Sequence, residues 1–531
     1  MKKSRLPSLG LALVGAGLAT AVAVASSYTT SYDPMMTGDN GWSIDAAFTV
    51  GETVDGYTPV GVLDGTGALR MSKNTVRVFV NHELGVGAGK SYTLASGATL
   101  TGARISYFDF DRKTRDLCGA GEAFDTIFDR NGDEVTSAAQ IGGGLNRLCS
   151  AKLVEKGTYG FRDDIFFTGE ESSNGTLFAL DIARGELHAC PDVGRGAWED
   201  VTAVDTGCRD TVALLMGDDT AGAPMYLYVG TKGGPSSGFL RRNGLVGGKL
   251  YVWVADNGDD SPEDFNGAGA SRDGAWVEVP VKDAGNAGNA GYDAAGYLDQ
   301  GTLYAEASSV GAFMFSRPED LHTNPADGQQ VVFASTGRGQ LFPSDNWGTI
   351  YVIELDFGRR CRRSCHQGEM GATFTILHDA DGLATPDAGI RSPDNVVWAE
   401  DGYIYAQEDR STSPGNLFGG TTGREASIWQ LNPNTGAWQG IAEMDRTAVA
   451  PTGSTDPVPG DIGNWESSGV IDVSDLYQTR PSETLLLAVV QAHSVRDGAI
   501  GGGSNLVEGG QIIFLSKEMS ARGHCRGRWR R

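Results

Sequence analysis

Apolar and polar residues alternate in short bursts along this chain, and the bursts resemble one another. Ile105-Ser106-Tyr107-Phe108-Asp109-Phe110-Asp111 is the first, and Leu177-Phe178-Ala179-Leu180-Asp181, followed by Gly185, is the second. Leu250-Tyr251-Val252-Trp253-Val254 runs into Asp256 and Gly258, and Ile350-Tyr351-Val352-Ile353-Glu354-Leu355-Asp356 ends at Gly358. Ile428-Trp429-Gln430-Leu431-Asn432 reaches Gly436, and Ile512-Ile513-Phe514-Leu515 is a degenerate last copy. Period-two alternation in runs this short, closed by an acid or Asn and then Gly, predicts a strand and a turn rather than a helix. A spacing of roughly 70–100 residues between copies is the mark of a repeat architecture. The simplest closed object built from such units is a β-propeller, so the expected fold is all-β, a six-bladed β-propeller with long inter-strand insertions. One domain is expected over residues 26–521.

Other predicted strands end in acids. Val76-Arg77-Val78-Phe79-Val80 meets Asn81-His82-Glu83, and Ile165-Phe166-Phe167 ends in Gly169-Glu170-Glu171. Val212–Met216 ends in Gly217-Asp218-Asp219, Tyr403-Ile404-Tyr405 in Gln407-Glu408-Asp409, and Leu485–Val490 in Gln491-Ala492-His493. Between them stand Trp198-Glu199-Asp200, Arg317-Pro318-Glu319-Asp320, Pro393-Asp394-Asn395 and Trp465-Glu466. Polar residues collect at any turn, so one such pair means little. Recurrence across blades means more, because equivalent strands end on one face and their carboxylates then converge around the channel mouth. Converging like charges repel unless cations neutralise them, and ligand sets of Asp, Glu and Asn suit calcium and other hard cations.

Composition narrows the classes. The formal net charge of -24 excludes nucleic acid as a partner, since phosphate backbones need a basic surface. Lys2, Lys3 and Arg5, the apolar stretch Leu9–Val24 and the Ala23-Val24-Ala25 cleavage motif read as a Sec-like signal peptide over residues 1–25, and hence as a periplasmic or extracellular protein. The alternative, a membrane anchor, would need a longer apolar run. Residues 522–531 form a basic tail. Seven cysteines in an exported chain suggest disulfides. Cys361 and Cys365 are close enough for a small loop, Cys190 and Cys208 are a possible pair, and one of Cys118, Cys149 and Cys525 is left over. Asp129-Arg130-Asn131-Gly132-Asp133 echoes part of a calcium loop, but its Gly is early and no Glu closes it, so it reads as a turn. No H-E-x-x-H occurs, and the glycine triplets lack a nucleotide-binding context.

At these motifs the chain resembles the PhoX-type alkaline phosphatases, secreted or periplasmic six-bladed propellers with a calcium and iron cluster at the channel mouth. Ser316-Arg317-Pro318-Glu319 is similar to the family's Arg-Pro-Glu, which implies Arg317 as the substrate-binding, catalytic arginine and Glu319 as a metal ligand. Thr168-Gly169-Glu170-Glu171 resembles a Cys-Glu-Glu strand end whose first Glu binds iron, which implies Glu170. Trp198-Glu199 and Gly217-Asp218-Asp219 resemble a His-Glu and Gly-Asp-Asp pair, implying Glu199 as a ligand and calcium contacts from Asp218 and Asp219. Trp465-Glu466-Ser467-Ser468-Gly469 is similar to Glu-x-Thr-Gly, implying Glu466, and Val490-Gln491-Ala492-His493 looks like the family's Gln-His-Pro-Gly end. The family's iron-binding Cys falls on Cys149, which stands further upstream of the Glu pair than usual, and a disulfide with Cys118 is an equal use for it.

The resemblance implies a secreted, monomeric phosphohydrolase acting on small phosphate esters, with Ca²⁺ and Fe³⁺ held by Cys149, Glu170, Glu199, Asp218, Asp219, Glu319, Glu466 and, from the convergence of strand ends, Asp394. The alternative is a non-catalytic, calcium-stabilised extracellular propeller used for binding. A third reading is a calcium-dependent propeller hydrolase of another class, such as a phytase or lactonase.

Overall fold

The computed structural model describes residues 28–358, 369–410, 417–478 and 483–518. The segment expected to be a signal, the basic tail, Cys361, Cys365 and Cys525 lie outside them. Among the described residues almost all regular structure is β, in antiparallel meanders of four strands. Alternation is the reason these segments become strands. In Thr75–His82 the side chains of Val76, Val78 and Val80 are buried, while Arg77 turns outward. Arg77 lies opposite Asp109 on the neighbouring strand and grips it with Nε at 2.8 Å and Nη2 at 2.7 Å. That is the cross-strand pairing of opposite charges expected on an exposed sheet face.

The innermost strands of the meanders are Leu63–Arg70, Leu148–Val154, Trp198–Val204, Pro318–Asn324, Pro393–Trp398 and Glu466–Asp472. Each packs against the next, and the last packs against the first, so the arrangement is propeller-like around a central channel. The final meander, Glu466–Asp472, Glu483–Ala492 and Gly509–Glu518, takes its outer strand from the other end of the chain: Ser43–Thr49 pairs with Gly509–Glu518 from Ser43 opposite Ser516 to Thr49 opposite Gln511. The strand Ser271–Val279, from the long segment after Lys249–Ala255, pairs with both Lys249–Ala255 and Gly371–Asp379 and fuses two meanders into one nine-stranded sheet.

Each of the six repeated phrases lies in a strand. Five occupy the third strand of their meander, but Leu250–Val254 lies in the fourth, and the third there is Tyr226–Thr231. No helix among the described residues is long and apolar enough to cross a membrane. One expected pairing is corrected: Cys190 is a free thiol, buried in the core with Sγ 3.7 Å from the His188 carbonyl oxygen, so Cys208, which is disulfide-bonded, does not pair with it. Cys118 and Cys149 are also free thiols, which removes the disulfide alternative for Cys149.

Candidate active site

The innermost strands share a defect that builds the site. In Leu63–Arg70 the ladder to the next strand skips from Leu63 to Thr66, and in Leu148–Val154 from Leu148 to Ala151. The same skip separates Trp198 from Val201, Pro318 from Leu321 and Pro393 from Val396. A β-bulge leaves residues unpaired and re-aims their side chains. The first unpaired residues are Asp64, Cys149, Glu199, Glu319 and Asp394. Glu466 opens the remaining innermost strand but stays in register opposite Gln491. A second tier comes from the adjoining strands. Leu148 is laddered to Glu170, Trp198 to Asp218 and Pro393 to Glu408, and the residue after each of these, Glu171, Asp219 and Asp409, reaches the channel mouth. Glu83 follows His82 in the same way.

All of these side chains but Asp64, which meets Cys149 Sγ at 3.2 Å, line a cavity of about 260 Å³, joined there by Arg147, Arg317 and His493. Three overlapping groups have their potential ligand atoms within 4.8 Å of one another: Asp64, Glu83 and Cys149; Cys149, Glu171 and Glu199; and Glu199, Glu319 and Asp394. Two like unit charges about 4 Å apart repel by about 4 kcal/mol at an effective dielectric of about 20. Burial, then the neighbouring carboxylates, accordingly push Glu199 and Asp394 well above the usual carboxylate range. Burial, then Asp64 and Glu199, does the same to the Cys149 thiol. Left alone, this cluster must hold protons.

Arg317 is the counterweight. Its Nη2 is 3.1 Å from Glu319 Oε1 and also pairs with Asp219 Oδ2. Burial opposes the charged form of both Arg317 and Asp219, but their mutual attraction prevails: Arg317 is raised and Asp219 lowered. Thr336 Oγ1 donates to Glu319 Oε1 at 2.7 Å, which fixes that carboxylate. His493 is held between Glu508 Oε1 at 2.9 Å and Glu466 Oε2 at 3.6 Å. Burial alone would lower it, yet the two acids hold it well above the usual imidazole range.

A metal fits this donor set. Asp64 Oδ1, Glu199 Oε1, Asp219 Oδ1 and Asp394 Oδ1 are buried and have no hydrogen-bond partner. A buried, unpaired carboxylate oxygen is costly, and three of these four belong to residues that line the cavity.

The structure brings Arg317, Cys149, Glu199, Asp219, Glu319, Asp394 and Glu466 together. It does not bring in Glu170 or Asp218. Each occupies a ladder position, so the period-two alternation of a strand turns it away and sends its neighbour to the cavity. Glu170 accepts from the backbone N–H groups of Asn146 at 3.1 Å and Thr176 at 3.2 Å. Asp218 accepts from the Ala197 N–H at 3.2 Å and the Tyr304 hydroxyl at 2.7 Å. Asp64, Glu83 and Glu171 were not singled out as ligands from the sequence. Leu63-Asp64-Gly65 carries the signal shared by Leu148-Cys149, Trp198-Glu199, Pro318-Glu319 and Pro393-Asp394: a bulky or Pro residue followed by a ligand type at the start of a strand.

A family model described as alkaline phosphatase PhoX matches residues 167–462. Among solved structures, Pseudomonas fluorescens PhoX in complex with vanadate, a transition state analogue, aligns at a TM-score of 0.59 with 17% sequence identity, covering 93% of this chain and 97% of that chain. At that identity the likeness speaks for the all-β, propeller-like fold. The catalytic domain of the Coprinopsis cinerea GH62 α-L-arabinofuranosidase aligns at 10% identity and a TM-score of 0.28, over 90% of this chain and 96% of that one, too low to carry an argument. No curated protein matches the chain in sequence.

Proposed function

The chain belongs to the alkaline phosphatase PhoX family, and on that premise we propose that it is a metal-dependent phosphohydrolase cleaving small phosphate esters in the cavity around Arg317. The observation that carries the reading is the coincidence, in one cavity of about 260 Å³, of a deep guanidinium and three buried, unpartnered carboxylate oxygens, with a fourth on Asp64 against Cys149. The residues that would hold metal are Asp64, Glu83, Cys149, Glu171, Glu199, Glu319 and Asp394, with Glu466 lining the same cavity. Cys149 supplies a thiolate among carboxylates, which suits iron, and the all-carboxylate group Glu199, Glu319 and Asp394 suits calcium. When bound, such cations neutralise phosphate charge and polarise its oxygens.

The chain's own residues do the rest. Arg317, with only 15% of its side chain exposed, is held by Asp219 and Glu319 so that its planar fork faces the cavity and grips phosphoryl oxygens. Because Arg317 is already charged and oriented, little reorganisation is needed as negative charge builds. The same reading takes the meanders as six blades of one domain, the protein as an exported monomer and the first 25 residues as its signal. Elemental analysis of purified mature protein, with p-nitrophenyl phosphate hydrolysis on the same sample, tests it. Iron, calcium and turnover together are expected. Calcium without iron or turnover would favour a calcium-stabilised binding propeller.

A further inference from the structure

Beside the cavity lies a second pocket, of about 380 Å³. The strand end at Glu170 and Glu171 divides the two: Glu171 lines the cavity and Glu170 lines this pocket. The turn Asp129–Asp133 forms one of its walls and places Arg130 there, while Arg195 and Asp293 enter from other segments.

Every acid of this pocket is already satisfied. Asp129 Oδ1 accepts from the N–H groups of Asn131 at 2.8 Å and Asp133 at 3.0 Å, within its own turn. Asp293 Oδ2 accepts from Arg195 Nη2 at 3.0 Å, and its Oδ1 accepts from the N–H groups of Ala295 and Tyr297, each at 2.9 Å. Glu170 is held by Asn146 and Thr176. The unmet need is on the donor side. Arg130 Nη1 reaches the Gly194 carbonyl oxygen at 3.5 Å, but Nε and Nη2 are shielded from water and have no acceptor. In this same molecule that edge of a guanidinium takes a carboxylate: Arg77 grips Asp109 with it, Arg391 grips Glu408 at 3.0 and 2.8 Å, and Arg446 grips Asp456 at 2.9 and 2.7 Å. A shielded fork without an acceptor is costly. The Tyr297 ring, 5.2 Å away, gives it only a cation–π contact.

We propose that this pocket is an accessory oxyanion site, in which the Arg130 guanidinium, turned so that its Nε and Nη2 edge meets the pocket and backed by Arg195, binds the phosphate or carboxylate group of a small ligand. Planar two-oxygen groups match the fork, and Arg binds them better than Lys for that reason. Burial, then the repulsion of Arg195, depresses the Arg130 guanidinium to about 10, against the attraction of Asp293 and Glu170.

The test uses full-length, metal-loaded protein carrying Arg317→Ala, so that the catalytic cavity does not dominate binding. Isothermal calorimetry with inorganic phosphate, and separately with acetate, is run on this variant and on the same protein with Arg130→Leu or Arg130→Lys added. One phosphate or one acetate per chain is expected, the anion that binds identifying the source, with at least about tenfold weaker binding in both Arg130 variants. The Lys variant keeps the charge and guards against a folding defect in the Leu variant. No binding of either anion, or binding that both substitutions leave unchanged, overturns the proposal. The readout counts bound anion rather than turnover, so it stands or falls independently of the phosphatase reading.

Discussion

At the scale of single residues the site is a set of choices between neighbours. Arg317→Ala is expected to lower p-nitrophenyl phosphate turnover by about 10²–10³-fold, the usual cost of removing one preorganised donor to a developing charge, while the circular dichroism spectrum stays native. Turnover at the wild-type rate would remove Arg317 from the chemistry. Glu171→Gln is expected to cost bound metal and activity, and Glu170→Gln to leave bound metal unchanged. Metal analysis of the pair decides between them, and the reverse pattern would show the register to be misread. That the acids converge was legible in the sequence, because they recur at strand ends. Which of two adjacent acids faces the channel was not, because a shift of one residue exchanges the faces of a strand and both Glu170-Glu171 and Asp218-Asp219 are acidic pairs.

At the scale of elements the bulge is the unit of construction. It lets an innermost strand stay hydrogen-bonded while turning Cys149, Glu199, Glu319 or Asp394 into the channel and Asp64 against Cys149. The close packing it requires is visible at Gly65, where a Cβ would collide with the backbone of Cys149–Ala151. Gly65→Ala should therefore destabilise the fold by about 2 kcal/mol or more, in the manner of overpacking, and reduce bound metal with it. A chemical denaturation midpoint and metal content equal to wild type would show that neighbouring innermost strands can part freely. The strands themselves were legible through alternation, as were most of the meanders. The assignment of Leu250–Val254 to its place in the repeat was not, since Tyr226–Thr231 is shorter on polar markers and the phrase that carries them is the fourth strand.

At the scale of the whole molecule, charge and pH connect the site to stability. A carboxyl held above its ordinary range contributes stability that is full below its unfolded value, about 4, and is lost as pH rises through its folded value. Glu199 and Asp394 are such groups. Chelator-treated protein is therefore expected to lose melting temperature as pH rises from 5 to 9, and the gap to metal-loaded protein to widen. A gap independent of pH would mean that the carboxylates are not what the cations relieve. His378, which is not among the residues lining the cavity, acts in the opposite sense: burial holds it neutral at about 4, below its unfolded value of about 6.5. Its contribution is intact above pH 6.5 and declines by about 1.4 kcal/mol per pH unit as pH falls toward 4. His378→Phe should flatten the pH dependence of unfolding in that window, and an unchanged slope would refute the assignment. One feature bears on the order of events in folding. Because Ser43–Thr49 zips onto Gly509–Glu518, the clasp of the ring joins segments far apart in sequence, and contacts so far apart along the chain are slow to form. What the clasp demands is that both segments be present, not that they be the free ends. A circular permutant reopened in the exposed segment 282–290 would keep its clasp, whereas a chain shortened past either strand would leave the circle gaping.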